Sequence, residues 1–317
     1  MFHGDVSKEI AQGLIALQER IKAAKVPPSK LDETLTIATW NIREFGKKQR
    51  SEAAVHYIAE ILGQFDLVGV VELRDNLADL SRVLKILGPY WRAVYSDMIP
   101  DAGGNRERVA YVYDKRAATF NGLAAEADAP RQKKGLEFLP QTSFWRSPYM
   151  ASFKSGNFDF IVLTTHIRWG ASIQGRQGEL GMLADWVEGK RLEKYSEDPD
   201  LIVMGDFNIP SLTDPLFKAI TKHGLQIPKA LVGVQQGSNL EKDKRYDQIL
   251  HYPNFPENFS KAGGILDFFI DEGHIKELFP GGMSKQQFTF QLSDHLPLWI
   301  QVNTDIDGQQ LQELIQG

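Results

Sequence analysis

The chain has 317 residues, a hydrophobic fraction of 42% and six tryptophans, enough apolar material for a sizeable core. Thirty-six Lys and Arg against 41 Asp and Glu give a formal charge of −5, which argues against a passive nucleic-acid binder, since those are usually basic. The absence of cysteine excludes disulfides, thiolate metal sites and cysteine nucleophiles, so any metal must be held by carboxylates, amides or imidazoles.

Residues 5–24 place Ile10, Leu14, Ile15, Leu17 and Ile21 at helical spacing among charged positions, up to the break at Val26-Pro27-Pro28. We read residues 1–30 as an amphipathic packing helix with its linker, 31–303 as one domain and 304–317 as a tail ending in a short helix or a frayed end. TLTIATW, from residue 34, alternates apolar and β-branched residues and reads as a strand. Further apolar runs follow at LVGVV (67–71), VAYVY (109–113), FDFIVLTTH (158–166), LIVMGDF (201–207), FTFQL (288–292) and LPLWIQV (296–302). Helical stretches at 51–65 and 175–191 lie between them, and this alternation predicts α/β sheets covered by helices. Residues 120–140 read as a surface loop. No apolar run approaches the roughly 20 residues a membrane helix needs. The first residues lack a basic region followed by an apolar core, so the expectation is a cytoplasmic protein with no membrane association and no obligatory protein partner.

Polar residues recur where these runs end: Asn41, Glu72, His166, Asp206 with Asn208, and Asp294 with His295. In α/β sheets ligands gather beyond strand ends, and oxygen-bearing groups gathered there suit a hard cation such as Mg²⁺. Singly, each is more often a turn or helix cap than a ligand. GDFN (205–208) is more specific, because it would present Asp206 and Asn208 on one side of an extended chain. SDH (293–295) sets a carboxylate beside an imidazole that can transfer protons.

In order, WNIREFG, VVELRD, TTHIRWG, GDFN, RYDQI and SDH resemble the endonuclease/exonuclease/phosphatase superfamily, across most of residues 35–302. NIR-x-FG, ELRD and YDQI are similar to the deoxyribonuclease I branch. The resemblance implies a four-layer α/β sandwich of two β-sheets covered by helices, with the catalytic groups at one edge between the sheets. It implies Glu72 as principal metal ligand with Asn41 and Asp294 near the ion, and Asp206 and Asn208 on the scissile phosphate or a second metal. His166 and His295 would flank the phosphate, oriented by Glu107 and Asp247, while Arg43, Arg74 and Arg146 would contact DNA phosphates. The implied cofactor is Mg²⁺, with Mn²⁺ as a substitute and Ca²⁺ as a candidate structural ion.

For several residues a second reading stands. His166 could be a satisfied strand-end histidine, Glu107 a solvated salt-bridge partner, and the three arginines surface ion pairs. Asp267 in ILDFFI competes with Asp247 for the second imidazole. The alignment also puts Asn105 where deoxyribonuclease I has a tyrosine that packs on DNA. The resemblance therefore implies a metal-dependent phosphodiester hydrolase, with a DNA endonuclease of low sequence specificity as first reading. A phosphatase or phosphodiesterase for a small phosphoester or lipid headgroup is the alternative.

Overall fold

A computed structural model describes residues 1–98, 105–129, 133–138, 143–170, 172–196, 198–253, 255–308, 311 and 315. Helix α1 (Lys8–Ala23) precedes β1 (Thr34–Phe45), and α2 (Glu52–Leu62) precedes β2 (Leu67–Leu73). Then come α3 (Ala78–Leu87), β3 (Trp91–Tyr95), β4 (Arg108–Asp114) and β5 (Thr119–Glu126). A small exposed hairpin of β6 (Lys133–Lys134) and β7 (Glu137–Phe138) leads to β8 (Tyr149–Ser155), β9 (Phe158–His166) and α4 (Ile173–Arg191). The chain continues through β10 (Leu201–Asp206), α5 (Pro215–Ile220), α6 (Lys229–Val232), β11 (Asp247–His251) and β12 (Phe259–Ile265). It closes with α7 (Ile275–Leu278), α8 (Lys285–Gln291) and β13 (Leu298–Asn303).

Six strands form one sheet in the order β12-β13-β1-β2-β4-β3, and five form the other as β11-β10-β9-β8-β5. Each sheet has one parallel pair near its middle, β1 with β2 and β9 with β10, among antiparallel neighbours. Three apolar clusters make the layers. Ile37, Leu67, Tyr111, Phe153, Phe160 and Met204 fill the space between the sheets. Trp40, Tyr57, Ile58, Phe268 and Phe288 pack the first sheet under α1, α2, α7 and α8. Leu163, Leu183, Val203 and Leu216 pack the second under α4 and α5. The result is the expected four-layer sandwich. A strand buried on both faces must read as a continuous apolar run, which is why the central strands were legible.

The sheets approach closely at Gly69 of β2, where a Cβ would stand 2.5 Å from the Met204 side chain and 2.8 Å from Thr164 Oγ1. Tyr111 Oη bridges the gap, lying 2.6 Å from Tyr149 O and 2.9 Å from Val162 O. Outside the first sheet, α1 buries Leu14, Leu17 and Ile21 and leaves Ile15 exposed, so its apolar stripe is narrower than the sequence suggests. Arg20 ties α1 to the loops about α7 by donating to Phe268 O at 3.0 Å and His274 O at 3.1 Å.

Two expectations are corrected. FTFQL is not a strand: residues 285–291 form α8, capped by Ser284 with Gln287 reciprocating, and its aromatic Phe288 faces the core. Of the expected 120–140 loop, Thr119–Glu126 is an edge strand paired with β8, and 133–138 hold the small hairpin; residues 130–132, 139 and 140 lie outside the described ones. Much of the expected terminal helix, from residue 309 on, also lies outside the described residues. Among the described residues no helix is long and apolar enough to cross a membrane.

Candidate active site

The two parallel pairs aim their C-terminal ends at one place. Asn41 on β1 pairs with Val71 beside Glu72 on β2, while His166 on β9 pairs with Asp206 on β10. Beyond Asn41 the β1–β2 register shifts before resuming at Phe45, and Glu72 takes a left-handed backbone with φ 63°. Glu44 (φ 45°) and Asn208 (φ 51°) do the same. Non-glycine residues adopt this region at a cost on the order of 1 kcal/mol or more, and such strain gathers at working sites. Asn208 is therefore not on the extended chain expected for GDFN. The chain turns, and Asn208 N donates to Asp206 Oδ1 at 2.9 Å while Asn208 Nδ2 donates to Ile167 O at 2.7 Å. Gly205 permits this turn. Its φ is 135°, and a Cβ there would lie 2.0 Å from Thr165 O on β9.

Asp206 is the hub. Its Oδ2 lies 3.6 Å from His166 Nε2, 3.8 Å from His295 Nε2 and 3.1 Å from Asn41 Nδ2. Asn41 Nδ2 also donates to Glu72 Oε1 at 3.0 Å, and Glu72 Oε2 accepts from the Glu44 amide at 2.8 Å. Each imidazole has a carboxylate on its other nitrogen. His166 Nδ1 is 2.7 Å from Glu107 Oε2, and His295 Nδ1 is 2.7 Å from Asp247 Oδ2. Burial alone would lower both imidazole pKa values. It is outweighed by Glu107 and Asp206 for His166, which is raised, and by Asp247 and Asp206 for His295, which stands well above the ordinary value. Burial opposes ionisation of Glu107 too, but His166 and Arg146 hold its pKa down to about 2.

Of the competing aspartates, Asp247 is the one at His295. Asp267 accepts from Gln236 at 2.9 Å and pairs with Lys242 at 2.6 Å. The remaining candidates are placed differently from the core group. Asp294 turns to Arg43, 3.3 Å away, and its side chain is 41% exposed. Arg43 also donates to Thr289 at 2.6 Å and lies over the Phe290 ring. Arg74 is buried, 3.8 Å from Glu44. Arg146 is committed to Glu107 through two 3.0 Å contacts. Asn105 bonds Glu107 as well. The sequence reading did not anticipate the Arg146–Glu107 pair, whose members are 39 positions apart with no local signal linking them. It also passed over Tyr246, whose ring lies 6.0 Å from that of His295, and Trp169, whose ring lies 5.5 Å from that of Tyr246.

The donor chemistry suits a hard divalent cation. Asn41 Oδ1 is buried with no hydrogen-bond partner among the described residues, beside the carboxylates of Glu72 and Asp206. Asp206, Asp247 and His295 are also close enough together to share an ion. The 2.7 Å bond between Asp247 and His295 already uses one oxygen and one nitrogen of that trio, which reads better as an oriented imidazole beside a carboxylate.

A two-sheet sandwich with paired imidazole–carboxylate groups and an oxygen-rich centre between strand ends defines a class of hydrolases acting on phosphoester bonds. The model of the Endonuclease/Exonuclease/phosphatase family matches residues 38–295, and the chain belongs to that family, in its deoxyribonuclease I-like branch. Deoxyribonuclease-1 of Gallus gallus is 29% identical over 184 residues, covering 55% of this chain and 61% of that protein. The human Deoxyribonuclease-1 is 28% identical over 183 residues, with 55% and 61% covered, so the chain spans about three fifths of these relatives. Among solved structures, a mannosyl-6-phosphatase from Bacteroides thetaiotaomicron superposes with a TM-score of 0.55 at 17% identity, covering 84% of this chain and 99% of the other. That likeness speaks for the fold alone.

Proposed function

We propose that this protein is a Mg²⁺-dependent phosphodiesterase whose substrate is DNA, cut internally with little sequence preference. The observation that carries the reading is the pair of carboxylate-backed imidazoles, His166 and His295, both presenting Nε2 to the same oxygen of Asp206. Hydrolysis of a phosphodiester needs a base for the attacking water and an acid for the leaving oxygen, and an imidazole can serve as either. Two of them facing one small volume match that need. Glu107 and Asp247 fix the tautomers so that each Nε2 is free to take or give a proton, and they stabilise the imidazolium form.

Glu72, Asn41 and Asp206 would hold the cation, with Asp294 joining after release from Arg43. When bound, the ion supplies positive charge to the phosphoryl oxygens. Asn208 is fixed by its own backbone and by Ile167, so its place relative to Asp206 is set before substrate arrives. Arg43, with a side chain 29% exposed, contacts a backbone phosphate; Arg74 lends charge from deeper in the wall. Arg146 acts as a positioning residue for Glu107. Similarity to Deoxyribonuclease-1, 29% identical over 184 residues, supports DNA over a small ester.

The test is conversion of supercoiled plasmid to nicked and linear forms in Mg²⁺ or Mn²⁺ buffer. Chelation should abolish it, and re-addition of metal should restore it. Supercoiled DNA that persists across a wide range of protein doses, while small phosphate esters are hydrolysed, would overturn the nuclease reading.

A further inference from the structure

Two aromatic residues extend the line of the catalytic imidazole out of the site. Tyr246 directly precedes Asp247, and its ring centroid lies 6.0 Å from that of His295. Trp169 follows His166 by three residues and meets Tyr246 edge-on at 5.5 Å, with an interplanar angle of 71°. Both rings are thus anchored by the same strand ends that fix the imidazoles. Trp169 is nevertheless 60% exposed, an expensive position for the largest apolar side chain. Its surroundings are cationic. The Arg176 guanidinium lies 5.4 Å from its ring centroid and donates to Asn208 O at 3.0 Å, which couples the indole to the GDFN turn. Arg168, its chain neighbour, lies 4.0 Å over the ring of Trp145, which is 41% exposed.

We propose that Trp169, backed by Tyr246 and Arg176, is a stacking platform for an unpaired nucleobase next to the scissile phosphate. The proposal rests on the nuclease reading and adds to it a preference for DNA with an accessible base face: single strands, frayed ends or flipped nucleotides. An aromatic face flanked by arginine is the chemistry that recognises a planar base on a polyanionic backbone without reading its sequence. A base within a duplex keeps both faces stacked on its neighbours and cannot use this surface without leaving the helix.

The experiment compares wild type, Trp169→Ala and Trp169→Phe on a single-stranded oligonucleotide, the same sequence as a duplex, methyl p-nitrophenyl phosphate and a sugar phosphate. For Trp169→Ala the ratio of kcat/KM for the single strand to that for the methyl ester should fall on the order of 10- to 100-fold, the range that loss of base stacking gives. The loss should lie in KM, the duplex should respond less, and Trp169→Phe should recover most of it. A ratio unchanged in Trp169→Ala would overturn the platform while leaving the nuclease reading intact. So would an equal loss on both esters, which marks a merely structural indole, or a loss confined to the sugar phosphate. If wild type cuts no oligonucleotide with any divalent ion, the nuclease reading fails first and the platform falls with it.

Discussion

The two histidine–carboxylate pairs look alike from Asp206 and differ behind the imidazoles. His166 closes a central strand, and its carboxylate partner Glu107 is neutralised from the rear by Arg146 and bonded by Asn105. His295 sits in a loop between α8 and β13. Its partner Asp247 is fully buried and donates its backbone amide to Ser238 Oγ at 3.0 Å, and its Oδ1 has no hydrogen-bond partner among the described residues. A guanidinium behind Glu107 withdraws part of the field that would hold a proton on His166. His295 instead faces Asp247, Asp206 and Asp294. One frame therefore sets two imidazoles in unequal fields, with a guanidinium behind Glu107 and, among the described residues, none behind Asp247. The inequality suits a reaction that needs both a base and an acid.

The largest expected effect is loss of either imidazole. His166→Ala and His295→Ala should each lower kcat for plasmid cleavage by about 10²–10⁴-fold, with the double variant far from additive. Full activity in one of them would end the view of two cooperating carriers.

The carboxylates separate the halves. Glu107→Gln leaves Arg146, whose side chain is 11% exposed, without the buried carboxylate that balances it, and breaking a largely buried pair in this way costs roughly 3–5 kcal/mol. This variant should lose both activity and stability, with urea unfolding shifted accordingly. Asp247→Asn removes a carboxylate whose ionic partner is His295 and behind which no guanidinium lies among the described residues, so it should cost activity with a smaller change in unfolding free energy. Equal destabilisation in the two variants would show that Arg146 is not what distinguishes them.

Legibility in the sequence follows the same physics. The strands carrying Asn41, Glu72, His166 and Asp206 are buried on both faces and announce themselves as apolar runs, and a polar residue at the end of such a run is conspicuous. Edge strand β5 mixes exposed and half-buried positions without regular alternation and contains Asn121-Gly122, so nothing in it separates strand from loop. FTFQL has strand-like aromatic content, and only the Ser284–Gln287 capping pair gives its helix away. The partner behind Glu107 could not be read at all, because Arg146 reaches it across the space between β4 and β8.

His251 supplies the control for the comparison, being a buried histidine with no carboxylate in hydrogen-bonding reach among the described residues. It ends β11, the strand that begins with Asp247. Its ring stacks on Phe259 at 3.7 Å, and Nδ1 donates to Tyr252 O at 2.6 Å. Burial without a counter-charge lowers its pKa to about 4, opposite in direction to His166 and His295. The unfolded chain would bind a proton at about pH 6.5 that the native state refuses, so this group should leave stability untouched above neutrality. As pH falls from about 6.5 to about 4, it should subtract at most about 3 kcal/mol, and below that window its contribution should be flat. Urea unfolding of wild type and His251→Phe at pH 7.5 and 4.5 isolates the effect as the difference between their pH slopes. Phenylalanine keeps the stacking but cannot titrate, so the variant, even if less stable at neutral pH, should lose less on acidification. Parallel losses in the two proteins would show that burial does not depress this histidine, and would weaken the claim that the carboxylates are what raise the other two.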